Sequence, residues 1–367
     1  MHKWWEARYK TGVELWDRYE RRISALGLAL GFFFDIIIAE RPDDPLNNIL
    51  LLFYLFVAGA LIVILNLRGA EREREENPTQ PLFLLFVMQI CFGALASNLL
   101  VLYGKSGTLV GSALFIGLLA AMLIGNEFLR TRYGQLRFNI AVYYILLFSY
   151  LLIVIPTFVL HSIGTLVFLI TGITSLVFIG GFLWLIYYFV LRGRKREEYL
   201  AQVGSIVFGI FLAFNLLYFL KVIPPVPLSL KDIGVYHSIE RVEGGYRATY
   251  EEAPWWKFWR EIDSTYTITT GSSAYCFSSV FAPSDLNAPI FHRWERLSEG
   301  GWVTISRISY PISGGRADGY RGFTQTGKLL EGAWRCNVET ANGALIGRAS
   351  FTVEKAGSLP ELSTTSL

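Results

Sequence analysis

The sequence predicts a membrane protein: an all-α bundle of seven transmembrane helices followed by an all-β sandwich domain. Only 17% of the residues are charged and 53% are hydrophobic, whereas soluble proteins carry about 25% charged residues. Seven apolar runs long enough to cross a bilayer fill the first part of the 367-residue chain. After residue 231 the apolar period changes from 3.6 to 2, which is typical of β-strands.

Residues 1–22 are predicted to form a cytoplasmic amphipathic helix. Their large apolar and aromatic residues recur at steps of three or four, which places them on one helix face; they are Trp5, Tyr9, Val13, Trp16 and Tyr19. Trp and Tyr favour the membrane interface, so this face fits a helix lying in the membrane surface. The same face would also fit a helix packed on the cytosolic loops, and the pattern does not separate the two.

The apolar runs predict a bundle over 23–223. The predicted spans are 23–39, 49–67, 81–103, 107–128, 138–160, 164–191 and 202–223. Each is long enough to cross the hydrocarbon core at the helical rise of about 1.5 Å per residue.

Lys and Arg are concentrated in alternate connections. Six lie in residues 1–22, and three, three and four lie in the loops 68–80, 129–137 and 192–201. The short loops of the other side hold only Arg41 and Lys105. Because basic loops stay in the cytoplasm, the N-terminus is predicted to be cytoplasmic. An odd number of spans then places the C-terminal domain outside.

The fourth span carries a stripe of small residues, which are Ala113, Gly117, Ala121 and Gly125. Small residues at this spacing let two helices approach closely in a membrane. The stripe therefore predicts a helix-packing face through which the protein could form oligomers.

The first span carries a carboxylate, Asp35, at the same spacing after Gly27 and Gly31. An ionisable residue inside a membrane span indicates a functional site. Asp35 also lies close to the outer end of its span, where it could reach water or pair with Lys221 near the end of the last span. Both a structural role and a transport or proton-transfer role stay open.

The exported part begins with a proline-rich linker, 224–231, for which Pro224, Pro225 and Pro227 predict a short stiff spacer. A β-sandwich domain is predicted over 232–355. Its strands are predicted at 233–241, 246–251, 265–270, 273–281, 289–297, 302–310, 319–325, 332–340 and 345–354. Asn342-Gly343 is the strongest hairpin signal, because both central residues of a type I′ turn need positive φ. The Ser/Thr-rich tail, 356–367, is predicted to be disordered.

Residues 291–354 resemble the bacterial family known as domain of unknown function 2914. The shared motifs are the H-x-W at His292 and Trp294, Gly-Gly-Arg at 314–316, Gly-x-Trp-Arg at 332–335, and G-x-L-I-G-R followed by F-x-V within 343–353. The preceding spans and the segment 224–231 also resemble bacterial membrane proteins that carry this domain. The resemblance implies a protein of the bacterial envelope, with the domain in the periplasm, and brings no catalytic residues.

An aromatic cluster in the exported part includes Trp255, Trp256 and Trp259. Next to a membrane such a cluster could insert among the lipid headgroups or dock on the outer loops of the bundle. It could equally pack in the core or form a stacking platform for a sugar or another flat ligand.

The glycine-rich segment 313–322 carries Arg316 and Arg321. Two guanidinium groups on a flexible backbone can bind a carboxylate or a phosphate. Glycine-rich turns are also common in β-sandwiches, and Asp318 could simply pair with one of the arginines.

Cys276 and Cys336 both lie on predicted strands of the exported domain. In an oxidising compartment they could form a disulfide between the two sheets, and two buried free thiols are the alternative. The domain has two histidines, His237 and His292, each with a Glu three residues on. Residues i and i+3 of a strand point to opposite faces, so neither pair predicts a metal site or a catalytic dyad.

The function that follows is a non-enzymatic inner-membrane protein whose periplasmic domain binds an envelope component or a partner protein. We expect no cofactor and no metal, because the sequence has no zinc-ligand spacing. We expect no nucleic-acid partner, since the net charge is only +3. The alternative is a small transporter or membrane-embedded enzyme with its site near Asp35 and the sandwich as a cap.

Overall fold

The computed structural model describes residues 35–36, 41–72, 82–128, 135–191, 196–257, 261–269, 271–283, 286–313, 319–327 and 329–367. The predicted amphipathic helix over 1–22 and nearly all of the predicted first span lie outside these ranges.

Six helices of the described chain precede a β-rich region. They are α1 (Pro45–Arg72), α2 (Leu82–Lys105), α3 (Leu109–Phe128), α4 (Leu136–Val154), α5 (Thr165–Phe189) and α6 (Arg196–Phe219). In the described residues, five apolar stretches are long enough to cross a membrane: Pro45–Leu67, Leu84–Lys105, Leu136–Val159, Thr165–Phe189 and Arg196–Phe219. The described apolar part of α3, Ser112–Ile124, is shorter. Seven spans stay a prediction.

The last turn of α4 widens into a π-helical turn, Ile155–Val159. Pro156 has no N–H to donate and its ring clashes with the carbonyl four residues back, so an α-helix cannot continue unchanged through it. The wider turn accommodates the ring, and the N–H of Leu160 donates to Ile155 O at 2.9 Å, five residues back. Such single π-helical turns are frequent at functional sites.

The chain divides into two compact units. The first comprises Met1–Leu102, Ile116–Leu151 and Gly172–Phe214, and the second comprises Tyr103–Phe115, Leu152–Thr171 and Asn215–Leu367. The second unit therefore combines the whole β-rich region with the α2–α3 connection, the α4–α5 connection and the end of α6.

The first unit is held together by apolar packing and a few buried polar contacts. The rings of Phe148 and Phe214 stack with centroids 4.5 Å apart. The amides of Asn47 and Asn98 exchange two hydrogen bonds of 3.2 and 2.8 Å. Amides buried in an apolar interior need such partners, because an unpaired buried polar group is costly.

The stripe of small residues lies on the surface of the chain. Ala113, Gly117 and Ala121 are exposed, and Gly125 lies outside the residues whose side chains are described. These three residues are therefore not buried against another part of the described chain. A role in oligomerisation stays a prediction.

The β-rich region has eleven strands in its described residues. They are β1 (Ser229–Tyr236), β2 (Ser238–Val242), β3 (Gly245–Tyr250), β4 (Thr265–Ile268), β5 (Ala274–Phe281), β6 (Asn287–Ser298), β7 (Gly301–Ser313), β8 (Tyr320–Thr326), β9 (Gly332–Thr340), β10 (Leu345–Lys355) and β11 (Ser363–Ser366). They form three sheets with the orders β4-β10-β9-β6-β7, β1-β5-β8 and β11-β3-β2. All neighbours are antiparallel except β10 and β4.

The three sheets stack as three layers instead of the two that were predicted. One core, which includes Trp294, Trp334 and Cys276, lies between the five-stranded sheet and β1-β5-β8. A second core, around Tyr236 and Phe277, lies between β1-β5-β8 and the third sheet. The middle sheet is therefore buried on both faces, and its central strand β5 has lost the apolar–polar alternation of a sandwich strand.

Two parts of the β-rich region differ from the prediction in their elements. The predicted strand 233–241 is two strands, because the chain leaves the middle sheet at His237, whose N–H donates to Thr249 O at 2.8 Å, and joins the third sheet. Contrary to the expected disorder of the tail, 363–366 forms β11, and Leu367 packs on the second core. β-branched threonines and a free edge on β3 account for this pairing.

The linker is a packed segment and not an exposed spacer. Pro224, Val226, Pro227 and Leu228 are buried, and β1 begins at Ser229. The segment turns back on itself, since Val226 N donates to Pro224 O at 2.8 Å. A polyproline helix has no such internal hydrogen bond.

The Asn342-Gly343 hairpin forms with a different turn from the one predicted. Only Gly343 has positive φ, +79°, and the N–H of Gly343 donates to Thr340 O at 2.9 Å. The turn is thus centred one residue earlier, on Ala341-Asn342, with glycine in the left-handed position that follows it.

Candidate functional site

The second unit contains a cavity of about 380 Å³ at the end of the β-rich region that faces the helix ends. Five separate segments enclose it. The helices and their connections contribute Tyr103, Leu152, Pro156, Ile163, Gly164, Thr165, Val167, Phe168, Thr171 and Tyr218. The linker and the strand ends contribute Ile223, Pro224, Pro225, Val226, Pro289, Thr340, Ala341, Asn342 and Ala344. We call this space the junction cavity.

The helical wall of the junction cavity is shaped by local geometry. The π-helical turn puts the Pro156 ring in the wall. The connection that follows reverses direction through two residues of positive φ, His161 at 47° and Gly164 at 136°. The rings of Phe168 and Tyr218 stack with centroids 3.8 Å apart, which joins the start of α5 to the end of α6.

Only a few polar groups line the junction cavity, and none of its lining side chains is charged. The Tyr218 hydroxyl accepts a hydrogen bond of 2.9 Å from Asn342 Nδ2 and lies 3.5 Å from Thr165 Oγ1. The Thr340 hydroxyl donates to the Asn342 side-chain oxygen. An apolar enclosure with a few fixed polar groups is the usual form of a small-molecule site.

Lys221 lies beside the rim of this cavity. It follows the end of α6 with a φ of 61° and is exposed. Its Nζ lies close to Gly343: a Cβ atom added to that glycine would be only 2.8 Å from the Nζ. Gly343 and its neighbours form the hairpin tip that contributes Asn342 and Ala344 to the cavity. The lysine therefore supplies one positive charge next to an otherwise neutral enclosure, and its predicted pairing with Asp35 stays a prediction.

Trp255 and Trp256 are 86% and 58% exposed, so neither ring packs in the core. Their loop starts at Glu251, whose carboxylate lies 2.8 Å from His237 Nε2 at the end of β1. β1 leaves the linker and runs for eight residues, so its two ends are about 23 Å apart. Insertion of the two rings among the headgroups stays a prediction. Trp259 lies outside the described residues, and a stacking role for the cluster stays a prediction.

Arg321 lies on β8, and its guanidinium reaches towards the third sheet. One of its terminal nitrogens is 3.5 Å from the position that a Cβ would occupy at Gly245. Arg316 and the rest of 314–318 lie outside the described residues. Anion binding by the pair stays a prediction.

Cys276 and Cys336 are joined by a disulfide, with an S–S distance of 2.11 Å, that bridges β5 and β9 of facing sheets. The Cys336 neighbour on β6 is Trp294, and both are completely buried. The sulfurs and a ring nitrogen of His292 lie within 4.8 Å of one another. The sulfurs are bonded to each other, so they offer no thiolate ligands.

His292 lies in a buried hydrogen-bond network between the five-stranded sheet and the sheet β1-β5-β8. Its Nε2 is 2.8 Å from Ser278 Oγ and its Nδ1 is 3.0 Å from Thr324 Oγ1. The same threonine accepts a hydrogen bond of 3.1 Å from Trp294 Nε1. Burial lowers the pKa of His292 to about 3, so the ring is neutral at pH 7. The shared H-x-W motif is thus a core-building element.

Neither histidine meets the glutamate three residues on. His292 faces the core, whereas Glu295 lies on the outer face of the sheet against Arg335. His237 meets Glu251 instead of Glu240, and its ring stacks on Tyr266 with centroids 4.2 Å apart.

Asp35 is half-buried beside Ser97 and Asn98 of α2. Because Asn98 also pairs with Asn47, a carboxylate and two amides lie together in the first unit. The sequence did not predict these partners, since the amides lie in two other helices.

Residues 287–353 match the family described as protein of unknown function DUF2914, which confirms the resemblance at the C-terminal part. No curated protein matches the chain.

Two solved structures align with the chain at low similarity. An immunoglobulin-like protein from Pseudomonas aeruginosa is 11% identical over 34% of this chain and 97% of its own, with a TM-score of 0.20. The alkylpurine DNA glycosylase AlkC of Pseudomonas fluorescens, bound to DNA with an abasic-site analogue, is 9% identical over 86% of this chain and 99% of its own, with a TM-score of 0.22. At these TM-scores neither alignment carries an argument.

Proposed function

We propose that this chain is a seven-span protein of a bacterial inner membrane with its β-rich domain in the periplasm. The domain lies on the outer helix ends and binds the apolar part of an amphipathic envelope molecule in the junction cavity. The single observation that carries the proposal is this apolar cavity, enclosed jointly by helix ends and strand ends.

The composition of the second unit supports the proposed orientation. Its helical parts are Tyr103–Phe115, Leu152–Thr171 and the end of α6. These segments contain the connections that are poor in Lys and Arg, which the distribution of positive charge assigns to the outside. The β-rich domain shares a compact unit with these connections, as expected for a domain on the same side.

The chemistry of the cavity supports an amphipathic ligand. Its walls are apolar with hydroxyl and amide groups from Thr165, Tyr218 and Asn342. A hydrocarbon chain would gain about 25 cal/mol for each Å² of apolar surface that it buries there. Lys221 at the rim would favour an anionic head group.

The test uses the full chain in phosphatidylcholine nanodiscs with 11-(dansylamino)undecanoic acid, whose fluorescence rises in apolar surroundings. We expect saturable binding that Ala341→Trp weakens at least about tenfold, since an indole would occupy part of the space. Ala356→Trp is the matched control, because Ala356 is exposed and does not line the cavity. Equal binding by both variants would contradict the proposal.

A second candidate function rests on the cluster of Asp35, Asn47 and Asn98. A carboxylate beside two amides in a helix bundle could bind a cation or pass a proton. Asp35→Asn removes the charge and keeps the shape. Loss of function in cells with unchanged binding of the dansyl probe would favour this site over the junction cavity.

A further inference from the structure

The outer face of the five-stranded sheet carries a layer of arginines. Four neighbouring strands place Arg348 (β10), Asn337 (β9), Arg293 (β6) and Arg307 (β7) in one row, side by side in register. Arg335 lies in the next row, beside Glu295. At about 4.8 Å between strands, the row is about 14 Å wide. We call these residues the arginine face.

Two buried carboxylates lie beneath the arginines. Glu339 accepts hydrogen bonds from Arg293 at 2.8 Å and Arg307 at 2.7 Å. Glu295 is bound by Arg293 at 2.8 Å and Arg335 at 2.5 Å. Burial raises the pKa of Glu295, but the hydrogen bonds from Arg335 and Asn337 and the nearby positive charges outweigh it and bring the pKa below its ordinary value. Glu295 is therefore charged at neutral pH.

The two carboxylates leave half of the positive charge on this face uncompensated. Arg348 is exposed, donates to Asn337 Oδ1 at 2.6 Å, and has no salt-bridge partner in the described chain. Burial and the charges of Arg335 and Arg293 lower the pKa of Arg348, against the opposing effect of Glu295. Two positive charges, those of Arg335 and Arg293, therefore act on Arg348 against one negative charge, that of Glu295.

Two of the guanidinium groups make cation–π contacts with aromatic rings. Arg307 Cζ is 3.8 Å from the ring centroid of Phe291, and Arg335 Cζ is 4.0 Å from that of Trp302. Trp302 is also 38% exposed. Arg307 already donates to Glu339 and to the carbonyls of Thr340 and Ala341, so its charge is held in place. Arg335 lies beside an exposed indole that offers a surface for ring stacking.

The arginine face extends away from the helix ends. Pro289 and Thr340 line the junction cavity, whereas Arg293 and then Leu297, which pairs with Trp302, follow along β6. At about 3.4 Å per residue, Arg293 is about 14 Å and Trp302 about 27 Å beyond Pro289. Lipid headgroups at the helix ends would not reach these residues, but an extended polymer would.

We propose that the arginine face binds an acidic glycan chain of the cell envelope. The carboxylate or phosphate groups of the glycan would bind Arg348 and its neighbours, and a sugar ring would stack on Trp302. The face is separate from the junction cavity, so the outcome of the dansyl-probe experiment does not decide it.

The test measures binding of oligogalacturonate to the full chain in phosphatidylcholine nanodiscs by thermophoresis. We expect Arg348→Gln to weaken binding about fivefold or more through the loss of a charge-assisted contact, and Trp302→Ala to weaken it about threefold through the loss of stacking. Arg247→Gln removes an exposed arginine of β3 in the third sheet and should change binding by less than about twofold. The thermal midpoint of each variant verifies that it is folded.

Several results would overturn the proposal. These are no binding by the unaltered chain, equal losses in Arg348→Gln and Arg247→Gln, or equal affinity for uncharged dextran. Equal affinity for polyglutamate would show that the face binds an acidic peptide, and equal affinity for dioctanoyl phosphatidylglycerol would show that it binds a lipid headgroup. Either result would refute a glycan-specific site.

Discussion

The side-chain amide of Asn342 donates a hydrogen bond of 2.9 Å to the hydroxyl of Tyr218. This contact joins the tip of the β9–β10 hairpin to the end of α6, residues that are 124 positions apart. It also fixes two of the polar groups that line the junction cavity, so the stability of the domain and the shape of the site depend on the same contact.

The first prediction concerns this contact. Combining Asn342→Ala with Tyr218→Phe should cost less than the two single changes added together, with a coupling of about 0.5–1 kcal/mol typical of a partly exposed hydrogen bond. Thermal unfolding of the four proteins of the cycle measures the coupling. Strict additivity would show that the two groups do not interact.

The second prediction concerns the disulfide. Replacing both Cys276 and Cys336 by Ala should lower the free energy of unfolding of the β-rich domain by about 2–4 kcal/mol, because the bond constrains the unfolded chain. Reductant should destabilise the unaltered protein and leave the double variant unchanged.

Cys91→Ala is the control for the disulfide, since Cys91 is a free thiol in α2. It should leave the response to reductant intact. A double variant as stable as the unaltered protein would contradict a structural role for the bond.

The third prediction concerns acid. The pKa of His292 falls from its ordinary value of 6.5 to about 3 on burial. Between these two pH values the unfolded chain binds a proton at His292 and the folded chain does not. The contribution of His292 to the free energy of unfolding is complete above pH 6.5. It is lost as the pH falls from 6.5 towards 3, at about 1 kcal/mol per pH unit. Urea unfolding of the domain at pH 7, 6, 5 and 4 measures this slope.

His292→Gln should flatten the slope between pH 6 and 4. His161→Asn is the control, because His161 is exposed and Asn tolerates its positive φ. A slope that is the same in both variants would show that His292 is not the group responsible.

The fourth prediction concerns the exposed indoles. A variant with both Trp255 and Trp256 changed to Ala should have a free energy of unfolding that differs by less than about 0.5 kcal/mol per substitution, as is usual at the surface. Trp294→Ala, in the core, should cost about 3–5 kcal/mol. Comparable losses in the two proteins would mean that Trp255 and Trp256 are core residues.

Much of the fold could be predicted from the sequence because its patterns are local. Apolar runs mark the described helices to within about six residues at each end, and alternation marks most strands. The division of 233–241 at His237 is marked only by Ser238, a weak turn signal, so it was not predicted. The third layer was missed because β5 is buried on both faces and β11 lies in a polar tail.

The candidate sites were harder to predict. The junction cavity is assembled from five segments between Tyr103 and Ala344, and no spacing in the sequence relates them. The arginine face did have a signal, since Arg335, Asn337 and Glu339 alternate with the core residues of β9. Polar residues at every second position mark an outer face, but the pairing of neighbouring strands is needed to bring four arginines together.

The most direct test of the account is the side of the membrane on which the β-rich domain lies. Ser309→Cys puts a thiol on exposed β7, and Glu198→Cys puts one at the exposed start of α6. A membrane-impermeant maleimide added to intact spheroplasts should label Ser309→Cys at once and Glu198→Cys only after lysis. Labelling of Glu198→Cys in intact spheroplasts, with Ser309→Cys protected until lysis, would contradict the account.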